Sequence, residues 1–339
     1  MKKVLFFALF VLVLVSCETE TIAPIDGNNL MIFYDKSSAQ QVVYQVYAYD
    51  GLTETNLTND SLNNYWWPRI SHDHTRFLCY RTPKLGPLQS DNAGNYANAD
   101  LMVFNIDGSN PKVLIPKGKY GWQSQGVAKF SPDGHKLLMA ALCTDTLRGY
   151  LNVQWRMVVT DINGDNPHII SPRNTVYADP AWSPDGNRVV YVSLPDDKPN
   201  GQNDEFEIFV ADYNENTQKL ENETRITSDD LYCFDPCWSH NGQFIAYTTC
   251  KFLNTPFNSE IIRIRPDGTD RTVLIDDNLS NAVPYWTEDD SRVFFHTLGI
   301  GTSYSIASCD AVNGGDKKIH LLGGGGNMVY YTSPQPIGK

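Results

Sequence analysis

A chain of 339 residues, 41% hydrophobic, 12% aromatic and 19% charged, carries ample material for a packed core, which excludes a disordered polymer. Its formal net charge of −12 repels phosphate backbones, so nucleic acid is not an expected partner. Length alone admits two domains, but repeat architectures of this size often form one.

The chain begins with Lys2 and Lys3, followed by an apolar run over Val4–Val15. A run of about a dozen residues is too short to span a bilayer but suits a secretory leader. It ends in Leu14-Val15-Ser16-Cys17, which resembles the lipobox of bacterial lipoproteins. The resemblance implies a signal peptide over 1–16 and a diacylated Cys17 as the new N-terminus. Residues 17–28 are then a polar tether, and the membrane is reached through the lipid. Glu18 and Glu20 resemble the acidic export signals of Bacteroidetes lipoproteins, which implies an outer-membrane lipoprotein, periplasmic or surface-exposed.

From residue 29 onward two phrases alternate. One is a hairpin best seen in Asp179–Ser193, DPAWSPDGNRVVYVS, where Pro fixes φ and Gly supplies a positive φ in the turn. Degenerate copies lie at Trp67–Ser71, Lys129–Gly134, Asp235–Gly242 and Pro284–Asp290. The Ser or Thr of this phrase falls at 71, 131, 183, 239 and 287. The other phrase is a strand with an Asp-Gly or Asn-Gly turn, as in Met102–Gly108, Val158–Gly164 and Ile262–Gly268. Four strands per period of roughly fifty residues is the signature of a β-propeller. No stretch sustains a helical period. The fold class expected is all-β: a six-bladed β-propeller of four-stranded blades over 29–339. Its first blade begins at Leu30, and Met328–Pro334 is expected to supply the missing strand, closing the ring.

The paired phrases resemble the TolB-like repeat, a WD40-like family, across nearly all of 29–339. That resemblance implies a propeller in the cell envelope, and it is not specific for function. No α/β-hydrolase domain and no G-x-S-x-G elbow accompanies it, so a peptidase is not expected.

Long loops on one face of a propeller are where binding usually lives. That face is expected to gather Tyr65, Trp66, Arg81, Tyr120, Trp122, Arg148, Tyr177, Asp179, Tyr232 and Asp235 around the channel mouth. Rings stack on saccharide or peptide, and amides, acids and arginines hydrogen-bond to them. Trp66, Tyr120 and Trp122 read equally well as wedges between blades. Asp179 and Asp235 precede Pro and read first as structural, their carboxylates capping a turn or accepting a backbone N–H. Trp182, Trp238 and Trp286 read as core. His72-Asp73-His74 occupies a hairpin turn on the opposite face and reads as an exposed turn, and no third metal ligand is apparent. Cys233 and Cys250 are the one disulfide suggested, because a hairpin centred on 239–243 brings Cys233 opposite Thr249–Cys250.

No nucleophile–base pair, metal cluster or cofactor loop stands out, so no cofactor is expected. The function expected is a lipid-anchored, monomeric envelope propeller that binds a protein or glycan at its channel mouth without catalysis. The alternative is a carbohydrate-active enzyme, such as an oligosaccharide lyase, using the same mouth.

Overall fold

The computed structural model describes residues 30–38, 42–85, 93–147, 150–172, 177–195, 206–228, 231–250, 258–298, 303–324 and 330–338. Cys17 and Arg148 lie outside them, and of Tyr177 only the strand assignment is described. The described chain runs through β1 (Met31–Ser37), β2 (Gln45–Tyr49), β3 (Glu54–Asn56), β4 (Asn63–Ile70), β5 (Arg76–Pro83), β6 (Asp100–Asn105) and β7 (Lys112–Ile115). It continues through β8 (Ser124–Phe130), β9 (Lys136–Leu147), β10 (Tyr150–Asp161), β11 (His168–Ile169), β12 (Tyr177–Trp182), β13 (Arg188–Ser193), β14 (Glu207–Asn214) and β15 (Lys219–Arg225). The last third holds β16 (Tyr232–Trp238), β17 (Ile245–Cys250), β18 (Ser259–Ile264), β19 (Thr272–Ile275), β20 (Ser280–Trp286), β21 (Arg292–Leu298), β22 (Ser305–Asp310), β23 (Lys318–Leu321) and β24 (Tyr330–Ile337).

This is an all-β propeller. Four of its sheets are four-stranded blades: β24-β1-β2-β3, β4 to β7, β8 to β11 and β12 to β15. The expectation of six separate four-stranded blades is corrected, because β16 to β23 hydrogen-bond as one eight-stranded sheet. The join is local. Ser259 of β18 pairs in parallel with Ser280 of β20, and the Ser259 hydroxyl donates to Asn281 O at 2.7 Å. Asn281 Nδ2 returns a bond to Ser259 O at 3.2 Å, so short polar side chains clamp two backbones that larger residues would hold apart. At the chain ends β24 lies antiparallel to β1, from Met31 opposite Ile337 to Ser37 opposite Tyr330.

The hairpin phrase recurs because its residues make one hydrogen-bond pattern. Ser183 Oγ donates to Asp185 Oδ1 at 2.5 Å and accepts from Arg188 N at 2.9 Å, while Asp185 Oδ1 also accepts from Asn187 N. Ser71–Asp73, Ser131–Asp133, Ser239–Asn241 and Thr287–Asp289 repeat it. The hydroxyl thus satisfies turn amides that the ladder leaves open. Replacing Ser183 by Ala is expected to lower stability by about 1–2 kcal/mol in a denaturant melt, since a buried amide loses its acceptor. An unchanged midpoint would show that water replaces the hydroxyl. The hairpin tryptophans Trp182, Trp238 and Trp286 are buried, the last donating from Nε1 to Cys237 O.

One irregularity is shared by β4, β8, β12, β16, β20 and β24, which contact one another in cyclic order around the axis. Each has a non-glycine residue at positive φ: Trp67, Val127, Asp179, Asp235, Val283 and Ser333. At each, the register to the neighbouring strand slips. Five of these six residues precede proline; at the remaining one Val127 precedes Ala128. Proline has no N–H for the ladder, so a β-bulge absorbs it and re-aims the following side chains. The bulge also overturns the proposed disulfide. Trp238 pairs with Ile245 and Cys237 with Ala246, a register that would run on to Cys233 opposite Cys250. The bulge at Asp235-Pro236 shifts it by one, placing Cys233 opposite Thr249 and Cys250 opposite Tyr232. A one-residue slip turns the two thiols to opposite faces, so they form no disulfide with each other.

Candidate functional site: a charged axial channel

The bulge residues and the residues two positions beyond them form successive layers of an axial channel. The first layer brings together Asp179 and Asp235 with Trp67, Val127 and Val283 at a constriction of about 10 Å³. The next carries Arg69, Lys129, Cys237 and Tyr285, and these face a depression of about 160 Å³ that opens on the hairpin-turn side. Its rim bears His72 and His240. A neighbouring depression of about 180 Å³ adds His74, Glu288 and Gln335. Arg69 and Lys129 thus line both the constriction, beside Asp179 and Asp235, and the wider depression, while Glu288 lies at the hairpin-side rim.

Arg69 is 4% exposed. Its Nη1 donates to Pro68 O at 2.7 Å, and its guanidinium lies 3.9 Å from the Trp67 ring centroid, a cation–π contact. Nε has no protein partner among the described residues. The Trp67 N–H is anchored separately, donating to Asp35 Oδ2 at 2.7 Å.

Burial and neighbouring charges perturb the titratable groups inside the channel. Burial and then the Arg69 charge bring the Lys129 ammonium down to about 8. Burial raises the Asp179 carboxyl, and burial followed by repulsion from Asp179 pushes Asp235 up to about 7. Burial raises the Cys237 thiol and the Tyr285 phenol to about 12 each, so both stay protonated at neutral pH. His296 falls to about 4, through burial and then the Arg69 charge, and is neutral. On the rim, His72 is held low by partial burial and by His240 and His74. His74 pairs with Glu288 at 2.7 Å and His240 with Asp290 at 3.4 Å.

The raised Asp235 carboxyl has a stability consequence. The folded state keeps its proton up to about pH 7, whereas an unfolded Asp releases it near 3.9, so this group destabilises the fold increasingly as pH rises between those values. Asp235→Asn removes that slope. Its Tm relative to the parent is expected to rise steadily from pH 5 to pH 7.5. A difference that is flat or falling would mean Lys129 and Arg69 stabilise the ionised carboxylate.

The residues expected at the long-loop mouth are dispersed. Tyr65 and Trp66 lie inside β4 and are buried, on opposite faces of the blade: Tyr65 packs edge-on to Phe104, and Trp66 sits against Tyr80 and Tyr96. Neither is available as a contact, and Trp66 is the interblade wedge. Arg81 is paired with Asp100 at 2.6 Å. Tyr120 and Trp122 pack with ring centroids 4.8 Å apart, over a crevice of about 10 Å³, and the Tyr120 hydroxyl donates to Gly164 O at 2.6 Å. Tyr232 stacks on Phe234. Asp179 and Asp235 line the channel and also take backbone N–H bonds at the next bulges, Asp179 from Asp235 and Asp235 from Val283, so they fill the structural role of backbone acceptors. Sequence reasoning missed Arg69, Lys129, Cys237 and Tyr285. The X-Pro pairs ahead of Arg69, Cys237 and Tyr285 were the available signal. Among the described residues no group of three or more His, Cys, Asp or Glu is placed to hold a metal ion.

No family model and no curated protein matches the chain. Similar folds are known among solved structures. TolB from Acinetobacter baumannii superposes with a TM-score of 0.64 at 13% identity, covering 92% of this chain and 67% of that one. A putative TolB from Agrobacterium tumefaciens gives 0.59 at 14%, covering 89% and 98%. An oligogalacturonate lyase in complex with manganese gives 0.51 at 14%, covering 82% and 72%. At such identities the likeness establishes the propeller fold alone. The assignment to a six-bladed TolB-like lipoprotein family, drawn from the repeated phrases, is therefore corrected to the general propeller class.

Proposed function

We propose that this propeller is a binding module of the cell envelope, tethered through Cys17, whose protein or glycan ligand enters the axial channel from the hairpin-turn side. The observation that supports this reading is the depression of about 160 Å³ floored by Arg69 and Lys129 and walled by aromatic and apolar side chains. A concave apolar site with a few convergent polar groups is the usual form of a ligand pocket. The resemblance of the leader to a lipobox supports the envelope location. The likeness to an oligogalacturonate lyase supports the carbohydrate-active alternative at the level of fold only.

The test uses the full chain in detergent against an array of envelope glycans and peptides, beside a His72→Trp/His240→Trp variant whose added rings cover the mouth. Retention by the parent and loss in the variant is expected. Undiminished retention would move recognition to another surface. Progressive shortening of a bound polysaccharide would replace the binding role with catalysis.

A further inference from the structure

We propose that the occupant of the hairpin-turn mouth is the free C-terminal carboxylate of a protein chain, received by the Arg69 guanidinium and the Lys129 ammonium. This rests on reading that mouth as a ligand site. The Arg69 fork is pre-set by its bond to Pro68 O and its stacking on Trp67. It nevertheless keeps a buried Nε–H without a protein acceptor among the described residues. A buried guanidinium donor left open is costly, and an entering carboxylate satisfies it through a charge-assisted bond. Lys129 faces the same depression and adds a second positive charge.

Asp179 and Asp235 share the constriction with Arg69 and Lys129 and feel their positive charge, but only the two cations also line the wider depression, where an entering anion meets them without an acid in the lining. Glu288 and Asp290 are engaged with His74 and His240.

Shape selects a chain end. Beyond the depression the channel narrows to a space of about 10 Å³, so the anion must sit at a tip rather than within a continuing polymer. Chemistry selects a peptide over an acidic sugar. Phe130, Ala181, Trp182, Pro184 and Trp238 form apolar walls, which suit a hydrophobic last residue better than a sugar ring whose several hydroxyls would have few polar partners beyond Ser239 and the rim residues His72 and His240.

The experiment is fluorescence anisotropy with the full chain in detergent and two tetrapeptide libraries, N-terminally labelled and identical except for a free carboxylate or a carboxamide. The free-acid library is expected to bind at least tenfold more tightly. Arg69→Met and, separately, Lys129→Met should each lower free-acid affinity about ten- to a hundredfold while leaving the carboxamide library unchanged. Lys129→Met keeps the test decisive if Arg69→Met does not fold, as judged by its melt. Equal binding of the two libraries overturns the carboxylate assignment but leaves the mouth as a site. Arg69- and Lys129-dependent binding of a uronic-acid oligosaccharide, with no peptide bound, overturns the peptide and keeps the anion. Binding of neither library nor any glycan overturns both this inference and the reading beneath it.

Discussion

Deleting residues 330–339 is expected to abolish cooperative unfolding. β24 is the hydrogen-bonded partner of β1 and also contacts β4, β20, β21 and β22, so its loss opens the ring at the chain ends. It would uncover the β1 edge at Ile32, Phe33 and Tyr34, all fully buried in the intact protein, and remove the buried Ser333 and Gln335. Re-exposing three large side chains costs on the order of 5 kcal/mol, within the whole stability of about 5–15 kcal/mol typical of a domain. A bare β1 edge also invites pairing between chains. The measurement is a thermal melt by circular dichroism with sedimentation. A compact monomer with a sharp transition would refute it. A rescue separates topology from sequence: Ile337 lies opposite Met31, so the deleted strand placed ahead of Leu30 through a two-residue Asn-Gly turn forms a hairpin with β1. That permuted chain should fold.

What could be read without coordinates was what recurs as residue type at fixed offset. Ser183, Asp185 and Gly186 announce their turn because each has one physical job there, and the same residues at 131, 133 and 134 repeat it. The misses share a cause in the innermost strands. Positive φ at Val127 and Val283 runs against every local preference of a β-branched residue; Pro284 signals the second bulge, whereas Ala128 gives no such signal for the first. Yet the bulge decides which side chains meet in the channel, and it moves Cys233 one step away from Cys250. Trp66 was misplaced for a different reason. A strand in a blade is covered on both faces, so alternation puts Tyr65 and Trp66 into two separate cores instead of one core and one mouth. The merging of eight strands into one sheet depends on a single meeting of Ser259 with Ser280, too local a feature for any periodicity to carry.

Gly314→Ala is expected to be strongly destabilising. Gly314 closes the turn after β22 at φ +73°, and a methyl group built there falls within the van der Waals envelope of the Leu274 carbonyl oxygen at the end of β19. The strand and its neighbour's turn are pressed together as backbones, so neither can yield by turning a side chain. Two costs combine. The left-handed conformation costs an L-residue roughly 1–2 kcal/mol, and the overlap forces a backbone shift between packed elements costing typically 1–3 kcal/mol more. Gly134 provides the control, since it has nearly the same φ, +72°, and nothing within 4 Å of an added methyl. Gly134→Ala should therefore show the conformational cost alone. Urea melts of the two variants are expected to differ by at least 1 kcal/mol, with Gly314→Ala the less stable. Equal losses would mean that the turn after β22 can lift away from β19 at no cost, and that close backbone packing does not set the spacing between them. A loss at Gly314 that far exceeds the sum of the two terms would mean that this contact also holds the eight-stranded sheet together.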